Sequence, residues 1–131
     1  MVKAVDIAAS LEGRPVLKDR TPQTPPEAEE GVFATLSPFG EGGLFAGSFQ
    51  GQSAWERHPN GDELVQVLKG STELTILTEE GPSVLTLSAG MLTVVPQGCW
   101  HRFFAADGVT VMTATPLPTE HSAADDPTSA A

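Results

Sequence analysis

The middle of this chain is a series of short apolar segments separated by residues that favour turns. The separating glycine, proline, asparagine and aspartate residues either accept positive φ or fix a turn. The segments predict nine strands, at 32–36, 43–49, 53–58, 63–69, 71–78, 83–87, 91–96, 101–105 and 109–115. Strands this short and this evenly spaced are typical of a β-sandwich or a small antiparallel barrel.

The length and the composition agree with one all-β domain that carries additional segments at both ends. The chain has 131 residues with 13 glycines and 11 prolines, enough for a single core. Residues 1–30 are predicted to form an N-terminal arm, with a short helix at 4–12 and an extended, proline-rich part at 14–30. Residues 31–115 are predicted to form the barrel, and residues 116–131, which are rich in small and polar side chains, a disordered tail.

The charge and the cysteine content exclude several classes of partner and environment. There are 17 acidic and 7 basic residues, which gives a net charge of −10 and no basic cluster for nucleic acid or an anionic membrane. The single cysteine, Cys99, cannot form an intrachain disulfide, and Asp6 interrupts any apolar signal segment, so a cytoplasmic protein is expected. The uncharged stretch 81–100 contains prolines and glycines and is predicted to form two buried strands instead of a membrane span.

A group of metal-binding side chains lies around the predicted turn at Asn60-Gly61. Glu56 and His58 are two residues apart on a strand and therefore share a face. The turn would bring Glu63 towards them. A further candidate, His101, opens a later strand.

These residues stand in two motifs that resemble those of the cupins. The first cupin motif is Gly, five residues, His-x-His, three or four residues, Glu, six residues, Gly; His58, Glu63 and Gly70 have this spacing. The second motif is Gly, five residues, Pro-x-Gly, two residues, His. Its positions are filled without a gap by Gly90, Pro96, Gly98 and His101. The resemblance implies a double-stranded β-helix, or jelly-roll barrel, with one bound divalent metal, and it favours a homodimer.

Three positions depart from the family pattern. Gly51 is one residue late, Ala105 replaces the closing asparagine of the second motif, and Glu56 stands where the first metal-binding histidine belongs. Glu56 either joins the metal ligands or turns away, for example to Arg57 or Arg102.

The candidate ligands are therefore Glu56, His58, Glu63 and His101, or the last three without Glu56. Either set suits Fe(II), Mn(II), Ni(II) or Zn(II) and leaves coordination positions for a substrate. Two functions follow: a metal-dependent small-molecule oxygenase or isomerase, or a barrel that binds a small ligand or a metal without turnover. The fold does not decide between them.

Several other side chains have ordinary interpretations. Cys99 could act as a nucleophile with His101 as its base, although a free cysteine is more often a small buried hydrophobic residue. His121 falls in the predicted tail, where an inert role is expected. An apolar pocket wall would form if a further set points inward, namely Val65, Val67, Leu92, Val94, Phe103 and Met112.

Overall fold

The structure is a computed structural model that describes residues 2–129. Its helical elements are α1 (Ile7–Leu11) and a 3₁₀ turn (Pro26–Glu29). The strands are β1 (Leu17–Arg20), β2 (Ala34–Phe39), β3 (Gly42–Gln52), β4 (Trp55–Arg57), β5 (Glu63–Thr78), β6 (Gly81–Ser88), β7 (Leu92–Val95), β8 (His101–Pro116) and β9 (Glu120–Ser122). The nine strands form one curled sheet, which confirms the predicted all-β, jelly-roll fold class.

Strands β3, β5 and β8 form the frame of the barrel. Strand β8 pairs antiparallel with β3 and with β5 over most of its length. Strand β5 also pairs with β6 and β7, while β2 lies against β3. The short strand β4 connects β8 to β9 at one end of the barrel.

Two pairs of predicted strands are continuous in the structure. Segments 63–69 and 71–78 form β5, and segments 101–105 and 109–115 form β8. The glycines predicted to make turns, Gly70 at φ 73° and Gly108 at φ 98°, lie at register shifts in these strands. A Cβ atom at Gly70 would collide with the carbonyl oxygen of Gly108. These glycines therefore bend paired strands instead of reversing the chain.

The core consists of a large cluster inside the barrel and a smaller one outside it. The large cluster contains Phe49, Val65, Val67 and Phe103 among others. The smaller cluster is formed by Ala34, Leu36 and Ala46 and is packed by Val5, Ile7, Leu11, Leu44 and Met112. Of the predicted wall residues, Val65, Val67 and Phe103 therefore lie inside, whereas Met112 packs outside and Leu92 and Val94 are exposed.

The N-terminal arm packs on its own barrel. Strand β1 pairs with β3 in parallel, with Leu17 opposite Phe49 and Arg20 opposite Gly51. Gly51 has a φ of 107°, and a Cβ atom there would collide with the backbone of Arg20. The close approach of β1 to β3 therefore depends on glycine at this position.

The structure differs from the disordered tail that we predicted for residues 116–131. Pro116 ends β8, and Glu120–Ser122 form β9, which pairs with β4. The indole nitrogen of Trp55 also donates a 3.2 Å hydrogen bond to the carbonyl of Asp125. Backbone pairing to the edge of β4 does not require apolar side chains, so composition gave no sign of this strand. Residues 130 and 131 lie outside the described part of the chain.

The uncharged stretch 81–100 forms β6 and β7 with a turn between them, as predicted, but its strands are not fully buried. Val84, Leu92 and Val94 are exposed, while Leu87 and Val95 are buried. This alternation means that one face of these strands covers the core and the other is exposed. Within residues 2–129, no helix has the length and apolar character needed to cross a bilayer.

Candidate metal centre

Three of the four predicted ligands meet inside the barrel. His58 follows β4, Glu63 begins β5 and His101 begins β8, and each of the three side chains is buried. Oε1 of Glu63 lies 3.3 Å from Nε2 of His58 and 3.1 Å from Nε2 of His101. These ligand atoms all lie within 4.8 Å of one another.

Two turns that belong to the cupin-like motifs hold these side chains together. The backbone N–H of Gly98 donates a 3.0 Å hydrogen bond to the carbonyl of His58. The Gln97 side chain donates a 2.7 Å bond to the carbonyl of Pro59, and its backbone N–H donates a 2.8 Å bond to Asp62. The turn between His58 and Glu63 is thereby tied to the loop that leads to His101.

Each candidate ligand also has a polar neighbour that orients it. Nδ1 of His101 lies 3.1 Å from the carbonyl of Cys99, and Nδ1 of His58 lies 3.0 Å from the hydroxyl of Thr119. The Thr115 hydroxyl donates a 2.5 Å hydrogen bond to Oε2 of Glu63. Such partners fix the orientation of metal ligands, and for His101 a proton on Nδ1 leaves Nε2 free to coordinate.

The three atoms that face one another at the centre of this group lack hydrogen-bond partners. Nε2 of His58, Oε1 of Glu63 and Nε2 of His101 are buried and have no well-formed hydrogen bond. Buried polar atoms without partners are costly and rare. A divalent cation placed among them would satisfy all three, and two imidazoles with one carboxylate are a common donor set for transition metals. The group could therefore hold a metal ion.

The electrostatics of the group follow from its burial and its short contacts. Burial by itself raises the pKa of Glu63, but the adjacent His101 and His58 rings outweigh it and lower that pKa to about 2. Burial opposes protonation of His101, but the Glu63 carboxylate beside it prevails and raises the His101 pKa above its ordinary value. In the absence of a metal, the carboxylate is thus ionised and attracts a proton to His101.

The structure does not bring Glu56, the fourth predicted ligand, into this group. Its side chain lines the same cavity, and its Oε2 lies 3.7 Å from Nε2 of His121. In the sheet, Glu56 is opposite His101 on β8 and opposite His121 on β9. His121, for which we expected an inert position, therefore lies beside the candidate centre. No apolar alternation marks β9 in the sequence, so the position of His121 could not be predicted from it.

The alternative partners proposed for Glu56 are used elsewhere. Arg57 forms a 2.9 Å ion pair with Glu120 and stacks over Trp100, with its Cζ 4.5 Å from the ring centroid. Arg102 stacks over Trp55, with its Cζ 4.3 Å from the ring centroid. Both arginines are engaged in these contacts, so neither draws Glu56 away from the cavity.

Cys99 has the ordinary role that its residue type suggests. Its side chain packs against the large core cluster, and its carbonyl, not its thiol, contacts His101. The contact therefore orients the imidazole and gives no support to a thiol nucleophile activated by His101.

A cavity of about 310 Å³ lies beside the candidate centre and is lined by two of its three residues. Its polar lining includes Glu56, His58 and Glu63, with Thr113, Thr115 and Thr119. Its apolar lining includes four phenyl rings, those of Phe33, Phe45, Phe49 and Phe103. Part of the wall comes from the N-terminal arm. A volume of this size is suited to a small molecule.

Comparisons with known structures agree with this architecture. A cupin-2 domain protein from Shewanella frigidimarina has a TM-score of 0.54 and 20% identity, over 69% of this chain and 79% of that chain. A hydroquinone 1,2-dioxygenase from Sphingomonas with bound 4-hydroxybenzoate has a TM-score of 0.54 and 17% identity, over 68% of this chain and 65% of that chain. A chain of the Drosophila melanogaster CENP-C complex with CAL1 has a TM-score of 0.57 and 14% identity, over 66% of this chain and 74% of that chain.

Sequence comparison supplies the family assignment. No curated protein is recognisably similar in sequence to this chain. The family model described as a cupin domain matches residues 48–115, just over half of the chain, and this match contains both motifs and all three central residues. The chain therefore belongs to the cupin family.

Proposed function

We propose that this cupin binds one divalent metal through His58, Glu63 and His101 and uses it as an oxygenase that acts on a small molecule. The observation that carries the proposal is the convergence of three buried, unsatisfied ligand atoms next to a cavity. Two histidines and one carboxylate match the ligand set of non-haem Fe(II) oxygenases.

Three protein ligands favour chemistry over a purely structural role for the ion. A bound divalent cation supplies a Lewis acid with free coordination positions. Structural metal sites usually fill their coordination sphere with protein ligands, whereas catalytic sites leave positions open. The cavity next to Glu63 provides the room for a substrate at those positions.

The chain's own residues have defined tasks in this proposal. Glu63 supplies the negative charge of the ligand set, and Thr115 holds the carboxylate so that Oε1 points to the two imidazoles. The phenyl rings of the cavity exclude water and provide a flat apolar surface for a substrate. The likeness to a dioxygenase that binds 4-hydroxybenzoate supports this choice of reaction and of ligand size.

Metal analysis tests the ligand set first. The protein is purified without chelator, reconstituted with Fe(II) without oxygen, and analysed for bound metal. We expect about one ion per chain, and we expect the His101→Ala and Glu63→Gln variants to lose it. His121→Ala is the matched control, because it removes a histidine of the same cavity that lies outside the central group. Full metal content in His101→Ala, with an unchanged circular dichroism spectrum, would overturn the ligand assignment.

Oxygen uptake then tests the reaction. The Fe(II)-loaded protein is supplied with a panel of small phenols and hydroxy acids, and oxygen consumption is measured for the parent protein and for Glu63→Gln. Uptake that depends on both the compound and Glu63 supports an oxygenase. If the metal-loaded protein interconverts a carbonyl and a hydroxyl group in a substrate without consuming oxygen, it is an isomerase.

A non-catalytic binding module is the second candidate. A chain from the CENP-C complex with CAL1, which is a protein assembly, shares this fold, so the fold by itself does not imply catalysis. This alternative predicts that compounds bind in the cavity with no oxygen uptake and no chemical change. Product analysis of the same panel distinguishes the two functions.

A further inference from the structure

The N-terminal arm supplies one end of the cavity wall. Arg20, Thr21, Pro22 and Thr24 line it directly, and Glu29 from the 3₁₀ turn lines it as well. The arm is held in place by the parallel pairing of β1 with β3, and the backbone N–H of Asp19 donates a 2.9 Å hydrogen bond to the Gln50 side chain. These arm residues precede the segment matched by the cupin family model, so the fold family does not explain them.

Arg20 is the cationic side chain of this wall. Its side chain is only 11% exposed, and Nη2 donates a 2.8 Å hydrogen bond to Oε1 of Glu29. Its guanidinium carbon lies 4.7 Å from the ring centroid of Phe49 and 5.9 Å from that of Phe33. Within residues 2–129, Glu29 is the one hydrogen-bond partner of this guanidinium, which has five N–H donors in total.

The aromatic contacts run in series from Arg20 to the candidate metal centre. Phe49, beneath the guanidinium, meets Phe103 edge-on with 5.6 Å between their centroids. Phe103 in turn meets the His101 ring at 6.3 Å. Two phenyl rings thus stand between Arg20 and His101. The cavity therefore has a cationic end at the arm, an aromatic middle and a metal-binding end.

We propose that Arg20 is a specificity-determining residue that binds the carboxylate of a small aromatic acid, whose opposite end faces His58, Glu63 and His101. This inference rests on the proposed function, because it takes the metal-binding end as the reactive end. A guanidinium fork matches a carboxylate with two parallel hydrogen bonds. A ring between the two ends would lie against Phe49 and Phe103.

Charge balance is compatible with an acidic ligand. Glu29 compensates Arg20 in the free protein, and its ion pair with Arg20 holds the guanidinium in position over Phe49. At the other end, a divalent cation would offset the two carboxylates that line the cavity there, those of Glu63 and Glu56. Each carboxylate of the cavity would then have a cationic partner, and the carboxylate of a ligand would find unused N–H donors at Arg20.

The test compares two probes that differ in charge but hardly in shape. 4-Hydroxybenzoate and 4-hydroxybenzamide are titrated into the full-length, metal-loaded protein by calorimetry. We expect the acid to bind more tightly, by about tenfold or more, because hydrogen bonds between charged groups are the stronger ones. Arg20→Gln should remove this preference by weakening the acid alone, and Arg20→Lys, which keeps the charge but not the fork, should give an intermediate value.

Arg102→Gln is the matched control, because Arg102 also stacks on an aromatic ring but does not line the cavity. It should bind both probes as the parent does. Equal affinity of the parent for acid and amide, or an unchanged preference in Arg20→Gln, would overturn the inference. If Arg20→Gln does not fold, Arg20→Lys and the probe comparison in the parent still decide. Metal content measured on the same samples shows separately whether the metal assignment has failed.

Discussion

Thr115 on β8 donates a 2.5 Å hydrogen bond to Oε2 of Glu63 at the start of β5. This contact joins two strands and leaves the other carboxylate oxygen, Oε1, between the two imidazoles. A second hydroxyl, that of Thr113, lies 2.8 Å from the Thr115 hydroxyl. The orientation of the candidate ligand is therefore set by a short polar chain and not by Glu63 alone.

Thr115→Val should weaken metal binding by about tenfold while leaving the fold intact, because outer partners of metal ligands typically contribute that much. Valine keeps the shape of threonine but removes the hydroxyl that orients Glu63. The measurement is a competition titration with a chromophoric chelator. Thr110→Val is the control, since its hydroxyl pairs with Ser48 outside the centre. Equal affinity in Thr115→Val and the parent would show that Glu63 needs no orienting partner.

Glu56→Ala should change metal affinity by less than about threefold, because Glu56 lies with His121 and outside the central group. Glu56→His would place an imidazole where most cupins have their first ligand. We therefore expect this variant to bind Zn(II) and Ni(II) more tightly relative to Mn(II), since imidazole favours those ions.

Metal competition at fixed pH measures both Glu56 variants against the parent. A loss of affinity in Glu56→Ala of tenfold or more would mean that Glu56 turns from His121 and coordinates the metal as a fourth ligand. In that case the site would hold two histidines and two carboxylates.

The sequence predicted the barrel and its centre well because both depend on local signals. Short apolar segments between turn residues placed most strands, and the fixed spacing around Glu63 and His101 identified three residues that do meet. The glycines between the segments were harder to interpret, because glycine at positive φ is found in β-bulges as well as in turns. Gly70 and Gly108 were therefore predicted to end strands that continue through them.

The parts that the sequence did not predict depend on long-range contacts. Arg20 reaches the cavity through strand pairing with Gly51, and Thr119 reaches His58 because the chain returns along β4. Neither residue belongs to a periodic pattern or a spaced motif. Proline and small polar residues around them instead suggested an extended arm and a disordered tail.

Truncation after Pro118 should lower both metal affinity and thermal stability. It removes the Thr119 hydroxyl that contacts His58 and the β9 strand that pairs with β4. We expect about tenfold weaker metal binding and a melting temperature several degrees lower. Truncation after Asp125 is the control, because it keeps Thr119, β9 and the carbonyl that binds Trp55. If both truncated proteins behave as the full chain does, β9 contributes nothing to the centre.

A homodimer remains a prediction, and the structure suggests where to test it. Within residues 2–129, β7 pairs with β5 alone, and Leu92 and Val94 are exposed on it. A second copy could cover this apolar surface. Light scattering should give twice the chain mass for the parent and a monomer for Leu92→Glu with Val94→Glu. Val16→Glu, at an exposed apolar residue of the arm, should stay dimeric, and a monomeric parent would refute the prediction.

The stability of the metal-free protein should fall as pH rises above neutrality. The Glu63 pKa is lowered to about 2 from an ordinary 4.5, so its stabilising effect is complete above pH 4.5 and is lost towards pH 2. The His101 pKa is raised above 6.5, so protonated His101 stabilises the folded protein fully below pH 6.5. This stabilisation is lost as pH rises through the raised pKa. Both contributions are therefore present between pH 4.5 and pH 6.5.

Metal should oppose this dependence, because a metal ion and a proton compete for Nε2 of His101. Melting temperatures are measured at about pH 5.5 and about pH 8.5, with chelator and with Zn(II). We expect the chelator-treated protein to melt higher at the lower pH and the gain from Zn(II) to be larger at the higher pH. Glu63→Gln serves as the control: the loss of the carboxylate removes the charge that raises the His101 pKa, so both effects should shrink. A gain from Zn(II) that is independent of pH would show that the ion binds away from His101.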